Sequence, residues 1–348
     1  MAGADGRQPT ILTVAAHAGV SPMTVSRVLS GQKNVSPELS ERVRASVAEL
    51  GYRRNEQARS LRPGQRSGLI GVAITNIANP YYAELLLGAD EVVGASGRGL
   101  LIGSTNEDED RESTLISKFI GRQVEGLIVV PAGARRHLLP QALGGTPLVL
   151  ASRAVEGARA DTVLVDDIGA SYEQTAALLA AGHRRIGYLG TATSVFTGLR
   201  RFDGFRMAHE DAGIELDQAL VFAGQSDVQS AERVMLDLLG RRNPPTAVFC
   251  ANNQNAIGAV RALRSSTARA RTDPIHLLSF DNFELADVLG LPITIIDHDA
   301  RELGRLAARM MLERLEGTAT QPPRTVELPT RILSFVGRGR DIDASAGV

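Results

Sequence analysis

The sequence contains no tryptophan, a single cysteine and, among 38 cationic residues, only two lysines, Lys33 and Lys118. One cysteine excludes an intrachain disulfide framework and fits a reducing compartment. That residue, Cys250, lies in the apolar run Ala247-Val248-Phe249-Cys250-Ala251. A buried structural thiol is the expectation there, and a nucleophile the alternative. No apolar run approaches the roughly 18 residues that would suggest a membrane helix, and no basic-then-apolar leader opens the chain. A soluble, cytoplasmic protein without membrane contact is therefore expected. The scarcity of lysine reads as genome composition. The sequence has no Gly-x-Ser-x-Gly elbow, phosphate-binding loop or Gly-x-Gly-x-x-Gly fingerprint. Its six histidines (17, 137, 183, 209, 276 and 298) show no metal-ligand spacing. An enzyme is not expected, nor is a cofactor or a metal.

What is present is unevenly distributed. Residues 1–66 carry ten cations against five acids, a balance of +5, which leaves −6 on the remainder. A basic head on an acidic body points to a polyanionic partner, with a merely solvated face as the alternative. Residues 10–51 read as three short helices. Ile11, Val14, Ala15 and Ala18 share a helical face, and Gly19 permits a tight turn. Ser21-Pro22 and Ser36-Pro37 each pair a good N-cap with a proline at the first helical position. Two short helices joined by a glycine turn form a helix-turn-helix, whose second helix enters the major groove. Here that helix offers Arg27 for a guanine, and Thr24 and Ser26 for phosphate or base edges. A plain three-helix bundle is the alternative.

From Leu69 onward, β-type runs alternate with helical stretches. They are Leu69–Ile74, Leu100–Ser104, Gly126–Val130, Leu148–Ser152 and Thr162–Val165, then Arg185–Leu189, Leu220–Ala223, Ala247–Ala251, His276–Phe280 and Thr294–Ile296, with Arg331–Val336 last. Such alternation predicts parallel sheets covered by helices, and so many strands suit two α/β lobes better than one. Ligands on such sheets bind beyond the carboxyl ends of the strands, so two lobes would share a cleft.

The run Thr10-Ile11-Leu12-Thr13-Val14-Ala15-Ala16-His17-Ala18-Gly19-Val20-Ser21, followed by Thr24-Val25-Ser26-Arg27-Val28-Leu29, closely resembles the head of the LacI/GalR repressors. So do Val35-Ser36, Arg42-Val43 and Leu50-Gly51-Tyr52, and the resemblance covers essentially the whole chain. It implies an α/β protein: an all-α helix-turn-helix head (8–54), a hinge helix and linker (55–66), and a two-lobed periplasmic-binding-protein-like body with parallel sheets (67–340). The lobes would comprise about 67–166 plus 294–327, and 167–293 plus 328–340. The implied function is a dimeric repressor of double-stranded operator DNA controlled by a small-molecule effector. Thr13 stands where an Asp is usual, and Leu39-Ser40 replaces the usual Thr-Arg.

The resemblance also implies roles. Pro22, Met23 and Arg27 match the family's base readers, supported on the DNA by Thr10, Ser21, Thr24, Ser26, Asn34 and Tyr52. Asn55, Ala58, Leu61 and Arg62 match a hinge helix that folds on DNA, with Leu61 as its minor-groove wedge. A free linker is the alternative when DNA is absent, since so short a helix is unstable alone. Arg54 replaces the usual proline there. For the effector, Arg201 and Asp281 match ligand-binding residues, with Tyr81 and Tyr82 at the cleft mouth or in the core. Asn252 follows a strand, and Asn106, Ser152, Asp166, Val228 and His298 are further pocket candidates. Arg, Asp and Asn on strand-end loops suit a polyol. An Arg201–Asp281 salt bridge across the cleft is the structural alternative. Ser152 stands where many sugar sensors have Asp, and Val195 where purine sensors have Arg. A sugar, polyol or sugar acid is therefore expected over a purine. A sugar-binding transport receptor is the alternative function.

Overall fold

The computed structural model describes residues 9–29, 35–52, 67–133, 136–265 and 274–335. Asn34, the hinge residues Asn55, Ala58, Leu61 and Arg62, and everything after Phe335 lie outside them. The chain divides into two compact units, Met1–Ser67 and Gly68–Val348.

The head contains α1 (Ile11–Ala18), α2 (Pro22–Leu29) and α3 (Pro37–Glu49). Thr10 caps α1, its hydroxyl accepting from the Thr13 backbone while Thr13 returns a bond to the Thr10 N–H. The departure at Thr13 thus completes a capping box. Gly19, at φ +61°, closes the helix in the left-handed conformation that costs glycine nothing. The Ser21 hydroxyl accepts from the Thr24 N–H at 3.1 Å, and that of Ser36 from Leu39 at 3.4 Å. Val14, Val25 and Val43, one from each helix, are fully buried and knit the three together.

The body holds two six-stranded sheets. The first contains β1 (Leu69–Ile74), β2 (Gly99–Ser104), β3 (Gly126–Val129), β4 (Leu148–Ala151), β5 (Asp161–Val165) and β11 (Thr325–Leu328), ordered β11-β5-β4-β3-β1-β2. The second contains β6 (Ile186–Gly190), β7 (Val221–Ala223), β8 (Ala247–Cys250), β9 (His276–Phe280), β10 (Ile293–Asp297) and β12 (Arg331–Phe335), ordered β12-β10-β9-β8-β6-β7. The helices are α4 (Pro80–Ala95), α5 (Glu109–Gly121), α6 (Pro140–Leu143), α7 (Asp167–Ala180), α8 (Phe196–Asp211), α9 (Val228–Gly240), α10 (Asn253–Arg264) and α11 (Ala300–Glu316). Every residue of β3, β4, β5, β6 and β8 is buried, as expected of parallel strands covered on both faces.

Three expectations need correction. Ile293–Asp297 belongs to the second sheet, so the return to the first lobe begins at α11, not at residue 294. Strand β11 was not expected: its sequence, Thr-Val-Glu-Leu, is short, hemmed by Pro322-Pro323 and Pro329, and only half-buried along an edge. Finally, β12 pairs antiparallel with β10. Between the two, the chain leaves for α11 and β11 of the first lobe, and Pro329-Thr330 lead it straight from β11 into β12.

Helices α4 and α11 cross through glycines. A Cβ at Gly88 would sit 1.9 Å from the Arg301 carbonyl oxygen, and one at Gly304 1.9 Å from that of Leu85.

At the amino edge of the second sheet, opposite the cleft, His183 and His276 face each other with ring centroids 5.9 Å apart. His276 bonds the Thr294 hydroxyl at 2.9 Å and His183 that of Thr246 at 2.8 Å. Burial, then the neighbouring His183, pushes the His276 pKa down to about 4, and burial lowers that of His183. The folded protein therefore keeps His276 neutral at a pH where the unfolded chain takes up a proton. Stability present above the unfolded value near 6.5 is lost as pH falls toward 4. Because the ring is only partly buried, at most about 2 kcal/mol should be lost through this group between pH 7 and 5. Urea unfolding at the two pH values should show the drop, and His276→Gln should remove most of it. An equal drop in the variant would contradict this assignment.

Candidate functional site

In the head, Ser21, Pro22, Met23 and Arg27 are exposed, Thr24 and Ser26 half-buried, and Met23 is 64% exposed. Val25 and Val28 point into the core. Helix α2 thus offers its polar edge, one arginine and one bare methionine on a single face. Thr10 is exposed at the start of α1. Tyr52 is half-buried and packs against the head's core, its N–H bonding the Val47 carbonyl at 3.0 Å.

In the body, the strand ends of both sheets converge on a cleft of about 310 Å³, lined from the first lobe by Thr75, Tyr81, Glu107, Ser152 and Arg153, and from the second by Thr191, Val195, Arg201, Asn252 and Asp281. Asn106, Glu107, Ser152 and Asp281, all at strand ends, hold positive φ between 56° and 66°. Non-glycine residues tolerate this poorly, and such strain concentrates at functional loops.

Arg201, on α8, organises the second lobe's wall. Its Nε donates to Asp167 Oδ1 at 2.7 Å, and its Nη1 to the Ala251 carbonyl at 2.7 Å and Asp281 Oδ2 at 3.3 Å. The guanidinium lies 3.6 Å from the Phe280 ring centroid. The Arg201–Asp281 pair exists, but both residues belong to the second lobe, so it does not span the cleft. Burial raises the pKa of Asp167, against the pull of Arg201. On the first lobe, Arg153 holds Glu107 bidentately at 2.6 and 2.7 Å and donates to the Pro131 carbonyl at 2.9 Å. The lobes meet directly where Asn79 and Asn253 exchange two amide hydrogen bonds, at 3.2 and 2.8 Å.

Tyr81 points its hydroxyl at Ser152 Oγ, 2.7 Å away, and its ring lies 5.5 Å from His298. Burial pushes its pKa well up, and Asp281 adds to this. Tyr82 is a core residue, its hydroxyl accepting from Thr75 Oγ1 at 2.7 Å while its ring edge meets the cleft. His298 is 8% exposed, and burial, against the nearby Asp281, lowers its pKa. Its Nδ1 and Asp281 Oδ1 face each other at 3.7 Å, beyond bonding distance, and neither has a partner among the described residues.

Four expected residues do not line this cleft, and one of them, His298, lines a neighbouring cavity of about 820 Å³ that shares Tyr81 and Asp281 with it. Asn106 turns to the Ser104 hydroxyl, Asp166 caps α7 through the Gly169 N–H, and Val228 begins α9. Asn252 does line it, while its side chain caps α10 through the Asn255 N–H. Glu107, Arg153, Asp167 and the Asn79–Asn253 pair were not anticipated. Among the described residues no three His, Cys, Asp or Glu side chains gather to hold a metal, and no helix is long and apolar enough to cross a membrane.

The fold and its two sites define a class: a ligand-binding body of two α/β lobes carrying a helix-turn-helix head. Residues 10–55 match the model of the bacterial regulatory proteins of the lacI family, and residues 67–334 that of the periplasmic binding proteins and sugar binding domain of the LacI family. The chain belongs to the LacI family of bacterial transcriptional regulators. It is 32% identical over 329 residues to the transcriptional regulator CelR of Thermobifida fusca, covering 92% of this chain and 96% of that one. It is 32% identical over 345 residues to the maltose regulon regulatory protein MalI of Escherichia coli, covering 95% and 99%. A solved CelR–cellobiose complex superposes with a TM-score of 0.68 at 30% identity, over 93% of this chain and 98% of the other. The protein is a DNA-binding transcriptional regulator and not an enzyme.

Proposed function

We propose that the protein is a cytoplasmic repressor that binds a near-palindromic operator as a homodimer, under the control of a neutral sugar or polyol held between its lobes. One observation carries the choice of ligand: Asp281 keeps a buried carboxylate oxygen without a hydrogen-bond partner among the described residues, in a cleft whose arginines are already engaged. A free acceptor wants a donor, and a ligand hydroxyl is one. The cleft sets two carboxylates, Glu107 and Asp281, against two guanidiniums, Arg153 and Arg201, each already paired with a carboxylate. No unpaired cation of that lining is left for an anion, which turns the reading from a sugar acid toward an uncharged ligand. A homodimer follows from reading a two-fold symmetric site with one α2 per half. Arg27, exposed on α2, would read a base edge in each half-site, with Thr24 and Ser26 on base edges or phosphates.

The test is a thermal-shift screen of sugars, polyols, sugar acids and purines, followed by calorimetry of the best hit. A neutral sugar or polyol should raise the unfolding midpoint. Asp281→Asn should weaken it about tenfold or more, because an unmatched buried polar group costs about 1–3 kcal/mol. A purine hit, or a sugar bound equally by the variant, would contradict the proposal.

A further inference from the structure

The chain enters the body at Gly68, the first residue of the second compact unit. Gly68 has no side chain by which the body could hold it, and its backbone is held on both sides instead. Its N–H donates to Glu125 Oε1 at 2.7 Å, and its carbonyl accepts from the Gly99 N–H at 2.8 Å. Glu125, one residue before β3, also donates its own N–H to the Leu69 carbonyl at 2.8 Å. Its Oε2 accepts from Arg98 Nε at 3.0 Å, and Arg98 stands one residue before β2. The Arg98 and Glu125 side chains are only 11% and 8% exposed. These groups gather at the amino ends of β1, β2 and β3, the edge of the first sheet opposite the cleft, and neither Glu125 nor Arg98 lines that cleft.

Strand β1 is secured without this carboxylate. It pairs with β2 over six residues and with β3 over four, and Ile70, Val72 and Ile74 are fully buried. The Glu125 side chain reaches beyond that ladder, to an N–H that precedes the strand. Withdrawing a carboxylate from water is costly, and Arg98 offsets the cost while the other oxygen is committed to Gly68. What this arrangement fixes is the position of Gly68, not the sheet. We infer that Glu125 is a positioning residue for operator binding: it pins the point from which each head is tethered to the body. The inference rests on the proposed homodimer. Once one head of a dimer occupies its half-site, the second binds intramolecularly, at an effective concentration set by its tether. Releasing Gly68 lengthens each tether by up to about 3.6 Å and frees one more pair of backbone dihedrals. The second half-site is then met less often, while a single half-site is bound as before.

The test measures fluorescence anisotropy of the full-length protein on its selected operator and on a duplex of the same length with one half-site scrambled. Glu125→Ala should weaken operator binding about tenfold or more and half-site binding by less than about twofold. Hydrogen exchange at the Gly68 amide should be about tenfold faster in that variant. Arg98→Met removes the ion pair but leaves Glu125 to hold Gly68. It should keep operator affinity within about threefold of the parent, even where it lowers the urea midpoint. Glu125→Asp, one methylene shorter and still charged, replaces the alanine variant if that one does not fold, and should show the same asymmetry between the two duplexes. Unchanged operator affinity in the folded Glu125 variant, equal losses on the two duplexes, or the same loss in Arg98→Met would overturn the positioning role. A parent protein that binds the operator no tighter than the single half-site would overturn the homodimer reading beneath it.

Discussion

Replacing Arg201 by alanine is expected to destabilise the body by about 3–5 kcal/mol at neutral pH, the usual cost of removing one partner from a buried ion pair. Arg201 is 8% exposed and Asp167 1%, and the guanidinium also satisfies the Ala251 carbonyl and one oxygen of Asp281. Without it, Asp167 would lose the partner of Oδ1 while its Oδ2 already has none among the described residues. Burial already raises the Asp167 pKa, and losing Arg201 removes the main opposing influence. A carboxylate with a raised folded pKa contributes stability that is full below its unfolded value near 3.9 and is lost as pH rises through the folded value. The variant should therefore recover stability as pH falls from 7 to 5, the direction opposite to the His276 effect. Urea unfolding of both proteins at the two pH values checks this. A variant as stable as the parent at pH 7 would refute the assignment. The ligand site is thus better probed at Asp281, since the arginine that orients the cleft also holds the lobe together.

Changing Arg27 to alanine is expected to weaken binding to the selected operator by about 1–3 kcal/mol, roughly 5- to 150-fold, with little loss on random DNA. The exposed face of α2 sets the expected size of the effect: Pro22 and Met23 carry no polar side-chain atom able to donate, and Arg27 is the cation that α2 would offer to a base edge in the proposed complex. Salt separates base reading from phosphate contact. The parent's affinity should fall steeply between 50 and 200 mM salt, by about a thousandfold or more if it engages six or more phosphates. Arg27→Ala should keep nearly the same salt slope, whereas loss of a phosphate contact would reduce the slope by about one. Fluorescence anisotropy on selected and random duplexes measures both quantities. Equal losses on the two DNAs, with a shallower slope, would place Arg27 on the backbone instead.

The head was legible because its signals are local. Thr10, Ser21 and Ser36 cap the helices that their hydroxyls suggest, and the valines at helical spacing are the ones that meet. The sheets were legible because strands covered on both faces are continuous apolar runs. The edge strand β11 has no such run, and nothing in its four residues distinguishes it from the loop around it. The candidate cleft was legible in part. Arg201 and Asp281 both line it, but of the adjacent pair Asp166-Asp167, the first caps a helix and the second holds Arg201. Asn252 likewise caps α10 while Asn253 reaches across to Asn79. Which of two neighbours turns inward is set here by helix capping: Asp166 and Asn252 sit in non-helical backbone as N-caps of α7 and α10, and the residue that follows each is buried, an arrangement to which periodicity is blind. The Glu107–Arg153 pair joins residues 46 apart in sequence and carries no local signature.

The proposed function couples a sequence-specific head to a ligand-sensing body in one chain. Its most direct test selects a duplex for the full-length protein from a random library, then titrates the best small-molecule hit into the preformed complex, with Asp281→Asn in parallel. The selected site should be near-palindromic, and the affinity for it should shift at least fivefold with ligand, a coupling of about 1 kcal/mol or more. Asp281→Asn should bind the same site yet ignore the ligand, if regulation runs through the cleft. An affinity for DNA that no bound ligand alters, or a shift that survives in Asp281→Asn, would contradict the proposed function.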